Sequence, residues 1–250
     1  MSDGLPPRVG PYVPLELLAV GGMARVVAAN RTGLAGFEKL VALKLILPEY
    51  AADAEYVTMF LDEARMASRI QHPNVVAVLD VGRDEVTGIL YMAMELVLGA
   101  TLADVLRAYP AGIPANVALE TIAQAADGLD AAHRATAADG TALKIVHRDV
   151  SPANLLMGLD GFVRVTDFGV ARAAQRQTRT RTGKFKGKLA YCSPEHVTGA
   201  PLDHRSDIFA LGIVAFELLT HLRLFQRRNP SKTLEAVLEG AIPSLAELRR

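Results

Sequence analysis

A change of periodicity along the chain is the feature that most restricts its fold. Before about residue 95, short β-branched or aliphatic segments separated by Gly or Asn turns predict five strands, near 12–20, 25–31, 39–46, 75–82 and 89–95. One helix, predicted over 53–70, interrupts this series because its apolar residues recur at helical spacing. The first part of the chain is therefore predicted to be a β-sheet with one helix.

The second part of the chain reads as mainly helical from Thr101 onward. Long amphipathic stretches lie near 114–135 and 204–220, and two short strand fragments lie between them at 155–157 and 163–165. The sequence thus predicts an α+β fold with a small antiparallel-sheet lobe and a larger, mainly helical lobe. Two such lobes joined at one hinge leave a cleft, which is a favoured location for a ligand site.

These patterns divide the chain into four parts. Residues 1–11 carry three of the thirteen prolines and are expected to be a loose, flexible leader. The first lobe is expected over 12–95, the hinge over 95–99 and the second lobe over 100–250.

Composition excludes several classes of protein. The chain has 27 basic and 27 acidic residues, so its net charge gives no argument for nucleic-acid binding. The longest apolar stretch, 208–219, contains Glu217 and is too short for a membrane span. The N-terminus lacks the pattern of a signal peptide, and the single cysteine, Cys192, fits a reducing compartment. A cytoplasmic protein is expected.

The motif with the clearest chemistry is HRDVSPANLL at 147–156, followed by Asp167, which opens the triplet DFG. Asp149 is a carboxylate that can accept a hydroxyl proton, while Asn154 and Asp167 offer the oxygen ligands that Mg²⁺ prefers. This combination resembles the catalytic and metal loops of bacterial eukaryotic-like (Hanks-type) serine/threonine protein kinases, in a variant with HRDVSP.

The resemblance implies a role for each of these residues. Asp149 would orient the acceptor hydroxyl, and Asn154 and Asp167 would hold Mg²⁺ or Mn²⁺ on ATP. His147 is expected to be structural. Arg148 is expected to bind a phosphate on the activation segment.

A second motif, VALK at 41–44, resembles the strand that carries the kinase lysine. Alternation places Ala42 and Lys44 on one face of the strand, and helical spacing places Glu63 at the flank of the apolar helix face. We expect a Lys44–Glu63 ion pair that holds the lysine against the α- and β-phosphates, although a lone strand lysine often faces solvent.

The phosphate-binding loop is less typical of the family. Residues 19–26 read AVGGMARV, and only Gly21 of the three family glycines is present, so the segment taken alone also fits an ordinary β-hairpin. The resemblance implies that ATP contacts Leu18, Ala19, Val20, Gly21, Gly22, Met23, Ala24, Arg25, Val26, Ala42, Lys44, Met94, Glu95, Val97 and Leu156.

Two positions depart from the family in a reciprocal way. Ser151 stands where most serine/threonine kinases have a lysine that contacts the γ-phosphate, and Lys188 stands where these kinases have a threonine. We interpret this as an exchange in which Lys188 supplies the missing positive charge and hydrogen-bonds to Ser151. The alternative is drift in a degenerating kinase.

The activation segment between Gly169 and Glu195 is strongly basic. From Phe168 to Pro194 it has seven basic residues and no acidic one, and Thr178, Thr180 and Thr182 alternate with arginines. A solvated basic loop would show the same composition. Phosphorylation of one of these threonines would offset the repulsion and order the loop.

The end of the chain carries two further expectations from the resemblance. Asp207 is expected to brace the catalytic loop from the start of a helix, where it would also serve as a cap. Kinase domains continue with more helices, one of which carries an arginine partner for Glu195, so the last helices are expected to be missing.

Together these features predict a protein serine/threonine kinase that uses ATP and Mg²⁺ and autophosphorylates its activation segment. Protein substrates with Ser or Thr acceptors are the expected partners, and a dimer is expected to support trans-autophosphorylation. A pseudokinase acting as a nucleotide-binding or docking module is the main alternative. A small-molecule phosphotransferase is a third hypothesis, which the long segment ending in SPE disfavours.

Overall fold

The computed structural model describes residues 4–110, 112–168 and 188–244. The chain divides into two compact units, the first comprising Met1–Gln71 with Val76–Leu98 and the second comprising His72–Val75 with Gly99–Arg250. Among the described residues, none of the helices combines the length and apolar character needed to cross a membrane.

The first unit is an antiparallel sheet of five strands with one long helix. The strands are β1 (Tyr12–Val20), β2 (Ala24–Thr32), β3 (Glu38–Ile46), β4 (Val78–Arg83) and β5 (Leu90–Glu95). They are hydrogen-bonded in the order β1-β2-β3-β5-β4. Helix α1 (Ala54–Ala67) begins at Asp53, whose carboxylate accepts a hydrogen bond from the backbone of Glu55.

The two faces of strand β3 have different surroundings. Val41, Leu43 and Leu45 point to one face and lie in an apolar cluster, each at most 1% exposed. Because side chains alternate along a strand, Ala42 and Lys44 point to the opposite face. The strand therefore separates the core of the unit from the face that carries its lysine.

The prediction of a flexible leader is wrong for residues 5–11. Val9 and Tyr12 are fully buried in the apolar cluster, and Leu5 packs against it. The backbone N–H of Gly10 donates to Asp84 at 2.7 Å, and the Tyr12 hydroxyl donates to Asp80 at 2.9 Å. The buried Val9 attaches the leader to the sheet, because burying such a side chain stabilises the fold by about 1.5–3 kcal/mol, and the partly buried Leu5 adds to this contact.

The second unit is mainly helical. Its helices are α2 (Leu102–Ala108), α3 (Ala115–His133), α4 (Pro194–Thr198), α5 (His204–Thr220) and α6 (Pro230–Glu239). A sheet of three short strands, β6 (Gly99–Thr101), β7 (Leu155–Gly158) and β8 (Val163–Val165), lies in the same unit in that order. The two units together confirm the predicted α+β class.

The short segment 72–75 joins the second unit, although its place in the sequence predicts that it belongs to the first lobe. The Asn74 carbonyl accepts a hydrogen bond from the Val165 backbone at 2.8 Å, and the Asn74 side chain donates to the Val163 carbonyl at 2.8 Å. A Cβ added at Gly128 of α3 would lie 2.4 Å from the backbone carbonyl oxygen of Asn74. Gly128 thus permits the close approach of this segment to α3.

Helix α5 is the central element of the second unit. It is apolar nearly all round, and nine of its seventeen residues are buried, as expected for a helix packed on several sides. Asp203 caps its N-terminus by accepting from the Arg205 backbone. Two of its buried residues, Asp207 and Glu217, are acidic and hold other parts of the unit.

Candidate active site

The backbone of the catalytic loop is held by Asp207. One carboxylate oxygen accepts from the His147 N–H and the other from the Arg148 N–H, both at 2.8 Å. The His133 ring also contacts this carboxylate at 2.8 Å. Arg148 has a φ of 66°, which is unusual for a residue with a Cβ and is maintained here by these surrounding bonds. The structure thus brings Asp207 to the position that the sequence predicts.

The chain next turns through the sequence Ser151–Pro152. Ser151 is extended, as a residue before proline prefers to be, and Pro152 opens a single 3₁₀ turn that ends at Asn154. This turn folds Asn154 back so that its side-chain N–H₂ donates both to the Asp149 carbonyl and to the Asp149 carboxylate, each at 2.9 Å. The local sequence therefore fixes the distance between these two polar side chains.

The orientation of Asn154 also determines which of its atoms can serve a metal. Because the nitrogen is engaged with Asp149, the oxygen is directed elsewhere and remains the ligating atom of the side chain. Asp167 supplies a carboxylate, and its φ of 58° gives it a left-handed backbone that Asp tolerates better than most residues. An amide and a carboxylate oxygen form a donor set of the kind that fits Mg²⁺.

His147 has a structural environment. It is fully buried, its Nε2 lies 2.9 Å from the Thr166 carbonyl, and its ring lies 4.7 Å from the ring of Phe168. The backbone N–H of Thr166 in turn donates to the Asn154 carbonyl at 3.0 Å. These bonds connect the catalytic loop to the segment that carries Asp167.

Lys188 approaches Asp149 from a separate element. It begins a single 3₁₀ turn, Lys188–Tyr191, which we name the Lys188 turn. Its ammonium lies 2.7 Å from Asp149 Oδ2, the same oxygen that accepts from Asn154. The lysine side chain is 33% exposed and the aspartate side chain 10%. The structure therefore brings together Asp149, Asn154 and Lys188.

The predicted hydrogen bond between Lys188 and Ser151 is wrong for the part of the chain that the structure describes. Ser151 is 2% exposed, and its buried hydroxyl has no hydrogen-bond partner among those residues. Lys188 donates to Asp149 instead, because a carboxylate attracts an ammonium more strongly than a neutral hydroxyl does. The proposed exchange of charge does not depend on that hydrogen bond.

In the first unit, the structure brings together Lys44 and Glu63. Lys44 Nζ lies 2.5 Å from Glu63 Oε1, and the two side chains are only 10% and 6% exposed. Strand β3 positions the lysine, and α1 positions the carboxylate on the flank of its buried face. The pair thus sets the Glu63 carboxylate against a buried cation.

The other predicted nucleotide contacts are distributed over several elements. In the first unit, residues 18–20 end β1, residues 21–23 form the turn and residues 24–26 begin β2. The Gly21 N–H donates to the Ala24 carbonyl at 2.8 Å and closes this turn. Ala42 pairs with Met94 across the sheet, Glu95 ends β5, and Val97 follows it. Leu156 lies on β7 of the second unit.

Two expectations concern the activation segment, namely phosphorylation of one of its threonines and an arginine partner for Glu195. Thr178, Thr180 and Thr182 lie outside the described residues. Glu195, at the start of α4, accepts a short hydrogen bond from the Ser206 hydroxyl of α5.

A polar cluster that the sequence does not predict lies at the end of the Lys188 turn. The Tyr191 hydroxyl donates a short hydrogen bond to Glu217 Oε2, and Arg223 binds Glu217 Oε1 at 2.8 Å and the Tyr191 oxygen at 2.6 Å. Burial and the neighbouring Glu217 raise the pKa of the Tyr191 hydroxyl. The only sequence signal for it is an acidic residue inside an apolar helix, since Tyr191 lies 26 residues before Glu217 and 32 before Arg223.

Comparison with known proteins shows to which family the chain belongs. A family model described as the protein kinase domain matches residues 12–248. The crystal structure of the PknI kinase domain from Mycobacterium tuberculosis superimposes with a TM-score of 0.67 at 27% sequence identity, covering 100% of this chain and 84% of that one.

Curated relatives give the same result. The chain is 43% identical over 245 residues to the tyrosine-protein kinase MasK of Myxococcus xanthus, covering 96% of this chain and 37% of MasK. It is 36% identical over 252 residues to the serine/threonine-protein kinase PknD of Mycobacterium tuberculosis, covering 100% and 36%. For the serine/threonine-protein kinase PrkC of Bacillus subtilis the identity is 38% over 211 residues, covering 84% and 30%. The chain thus spans about a third of the length of these relatives.

Proposed function

Since the chain belongs to the protein kinase domain family, we propose that it transfers the γ-phosphoryl group of ATP to serine and threonine hydroxyls of proteins. The observation that carries the proposal is the arrangement around Asp149, whose carboxylate is held by Asn154 and Lys188 on a loop fixed by Asp207. A carboxylate held in this way is suited to orient a hydroxyl group for attack.

In the proposed reaction, Asp149 accepts a hydrogen bond from the substrate hydroxyl and aligns its oxygen with the γ-phosphorus. A new oxygen–phosphorus bond forms, the bond from the γ-phosphorus to the bridging oxygen breaks, and ADP leaves. The hydroxyl proton passes to Asp149 and then to solvent. The loop geometry supports this role because two donors to Oδ2 restrict rotation of the carboxylate.

We propose that Lys44 binds the α- and β-phosphates of the nucleotide. Its buried pair with Glu63 places a negative charge beside the ammonium and restricts its orientation. The predicted contacts at residues 18–26 and at Ala42, Met94, Glu95, Val97 and Leu156 belong to the same proposal.

Asn154 and Asp167 are the proposed metal-binding residues, through one amide oxygen and one carboxylate. Mg²⁺ bound there would neutralise charge on the phosphates.

We propose that Lys188 replaces the lysine that most members of this family have at the position of Ser151. Its ammonium already lies on the catalytic carboxylate, and its side chain is one-third exposed. A cation at this position can interact with the transferred phosphoryl group while it remains close to Asp149. Ser151 contributes a small side chain and no charge.

Tyrosine is a second candidate acceptor, because the 43% identical relative MasK is named a tyrosine-protein kinase. The relatives named above are all kinases, so the comparisons do not support the pseudokinase alternative. The proposal also includes assembly as a dimer, a cytoplasmic location and autophosphorylation at Thr178, Thr180 or Thr182.

The test is transfer of radiolabelled phosphate from ATP with Mg²⁺ to a generic acceptor protein such as casein, by the wild type and by Asp149→Asn. We expect incorporation by the wild type and a loss of at least about a hundredfold in the variant. Hydrolysis of the product and separation of phosphoserine, phosphothreonine and phosphotyrosine identify the acceptor. Equal incorporation by the two proteins would refute the enzyme proposal, and phosphotyrosine alone would refute the Ser/Thr assignment.

A further inference from the structure

Arg223, in the turn after α5, is placed to control the Lys188 turn from a distance. Its guanidinium makes two contacts within the polar cluster, Nε with Glu217 at 2.8 Å and Nη1 with the Tyr191 hydroxyl oxygen at 2.6 Å. It also lies over the Tyr191 ring, 5.7 Å from the centroid. Since the Tyr191 hydroxyl donates to Glu217 and accepts from Arg223, the three side chains form a closed triangle.

The triangle has a clear electrostatic basis. The Glu217 side chain is 6% exposed, and a carboxylate at this depth requires a cation or several donors. Arg223 supplies the cation from a side chain that is 50% exposed. Its planar guanidinium can bind a carboxylate oxygen and a phenol oxygen at the same time, which an ammonium cannot do with the same geometry.

The Lys188 turn connects this triangle to the proposed catalytic carboxylate. Lys188 and Tyr191 are the first and last residues of a single 3₁₀ turn, and residues three apart in such a turn project from the same side. Lys188 binds Asp149, and Tyr191 binds Glu217. A shift of Tyr191 would therefore be transmitted directly to Lys188.

Helix α5 holds both partners of the Lys188–Asp149 ion pair. Asp207 binds the backbone of the catalytic loop, and Glu217 binds the Lys188 turn through Tyr191. The two acidic residues are ten positions apart, or about 15 Å along the helix axis. One rigid element thus determines the distance between Asp149 and Lys188.

We propose that Arg223 is a positioning residue: by neutralising Glu217 and orienting Tyr191, it holds the Lys188 turn so that the Lys188 ammonium stays on Asp149. This inference rests on the proposed phosphoryl transfer for its effect on rate. It rests only on the geometry above for its effect on Lys188.

The first test is a double-mutant cycle of Arg223→Met and Lys188→Met, with kcat and KM for ATP measured on casein. Methionine keeps much of the apolar length of the side chain and removes its charge. We expect R223M to lower kcat about tenfold, to leave the KM for ATP unchanged, and to have no further effect in the K188M background. Additive effects of the two substitutions, or an unchanged kcat in R223M, would overturn the proposal.

Arg107→Met is the matched control. Arg107 also pairs with a carboxylate at 2.8 Å, that of Asp104, but its side chain is 77% exposed and the pair lies within α2. We expect R107M to have wild-type kcat. A loss of rate in R107M equal to that in R223M would show a general effect of removing a surface charge and would overturn the specific role.

The second test does not depend on activity. Acetic anhydride labels lysines at a rate that rises when an ammonium loses its ion pair, and mass spectrometry reports the rate at each lysine. We expect faster labelling of Lys188 in R223M than in the wild type, with Lys232, which is 69% exposed, as the internal reference. Unchanged labelling of Lys188 would refute the positioning role, even if the wild type proved to be no more active than D149N.

A folding failure of R223M is covered by a further variant. R223M combined with Glu217→Gln removes the buried charge together with its cation, which avoids an uncompensated carboxylate. We expect this double variant to fold and still to show faster labelling of Lys188. Wild-type labelling in the folded double variant would overturn the inference.

Discussion

Two short lysine–carboxylate pairs among the described residues, one in each unit, have similar lengths but different surroundings. Lys44 and Glu63 are 2.5 Å apart and nearly buried, with side chains 10% and 6% exposed. Lys188 and Asp149 are 2.7 Å apart, but the lysine is 33% exposed. The first pair joins a strand to a long helix, whereas the second joins a loop to a single turn.

Because the two pairs differ in exposure, the same contact between an ammonium and a carboxylate has a different role in each. A buried pair is costly to break, because either partner left alone is a charge without solvent. The Lys188–Asp149 pair contributes less to stability, since water solvates the lysine when the two separate and Asn154 still donates to the carboxylate. We infer that Lys44 is fixed by the fold, whereas Lys188 can exchange between Asp149 and a phosphate during the reaction.

The largest expected effect is that of Lys44→Met. The variant should lose at least about a hundredfold in kcat/KM, because a preorganised cation at developing phosphate charge is worth that much. It should also lower the free energy of unfolding by about 3–5 kcal/mol, because the buried Glu63 carboxylate loses the lysine that neutralises it. Steady-state kinetics and urea unfolding measure the two losses.

Two controls sharpen this result. Lys39→Met alters an exposed lysine on the same strand and should match the wild type in both measurements. K44M combined with Glu63→Gln should regain stability but not activity. A stable K44M single variant would remove the distinction between the two pairs.

A smaller effect is expected for Lys188→Met. It should lower kcat by about tenfold, while its free energy of unfolding should change by less than about 1 kcal/mol, because the lysine is partly solvated and Asn154 still donates to the Asp149 carboxylate. Ser151→Ala is the control near the same loop, and its kcat should remain that of the wild type because the hydroxyl has no partner among the described residues. Destabilisation of K188M as large as that of K44M would contradict the comparison.

The smallest effect on activity is expected for Asp84→Asn, which tests the first unit away from either lysine. The Thr87 hydroxyl, the Gly10 N–H and other donors lower the pKa of Asp84 from 3.8 to about 2. A lowered pKa in the folded state means that the ionised carboxylate stabilises the fold above about pH 4. That contribution is lost as the pH falls toward 2.

The measurement for this variant is thermal unfolding of the wild type and D84N between pH 7 and pH 2.5. We expect a lower Tm for D84N at pH 7 and a difference that shrinks below pH 4, with kcat unchanged. A difference that grows as the pH falls would show that the sign of the linkage is wrong.

The first ion pair is more predictable from the sequence than the second. Alternation along β3 and helical spacing in α1 are local rules that place Lys44 and Glu63 on their faces, and the resemblance of VALK to the kinase lysine strand predicts that they pair. The reciprocal change at Ser151 and Lys188 draws attention to a lysine that the structure places beside Asp149. It predicts the wrong hydrogen-bond partner, since the pattern does not describe how the turn meets the loop.

The features that the sequence does not predict all involve distant contacts. Leu5 and Val9 lie in a proline-containing leader, and their burial depends on the strands β3 and β5, far along the chain. Glu217 and Arg223 each resemble an ordinary helix or loop residue until Tyr191 is brought beside them. Local periodicity carries no information about such pairs.

The attachment of the catalytic loop to Asp207 has a consequence for how this site can diversify. Asp207 binds main-chain amides of His147 and Arg148, and every residue type except proline offers that group. The backbone at these two positions is thus held independently of the side chains that they display. Substitution at Ser151, whose hydroxyl has no partner among the described residues, leaves both bonds in place, so the loop can vary there without losing its attachment to α5.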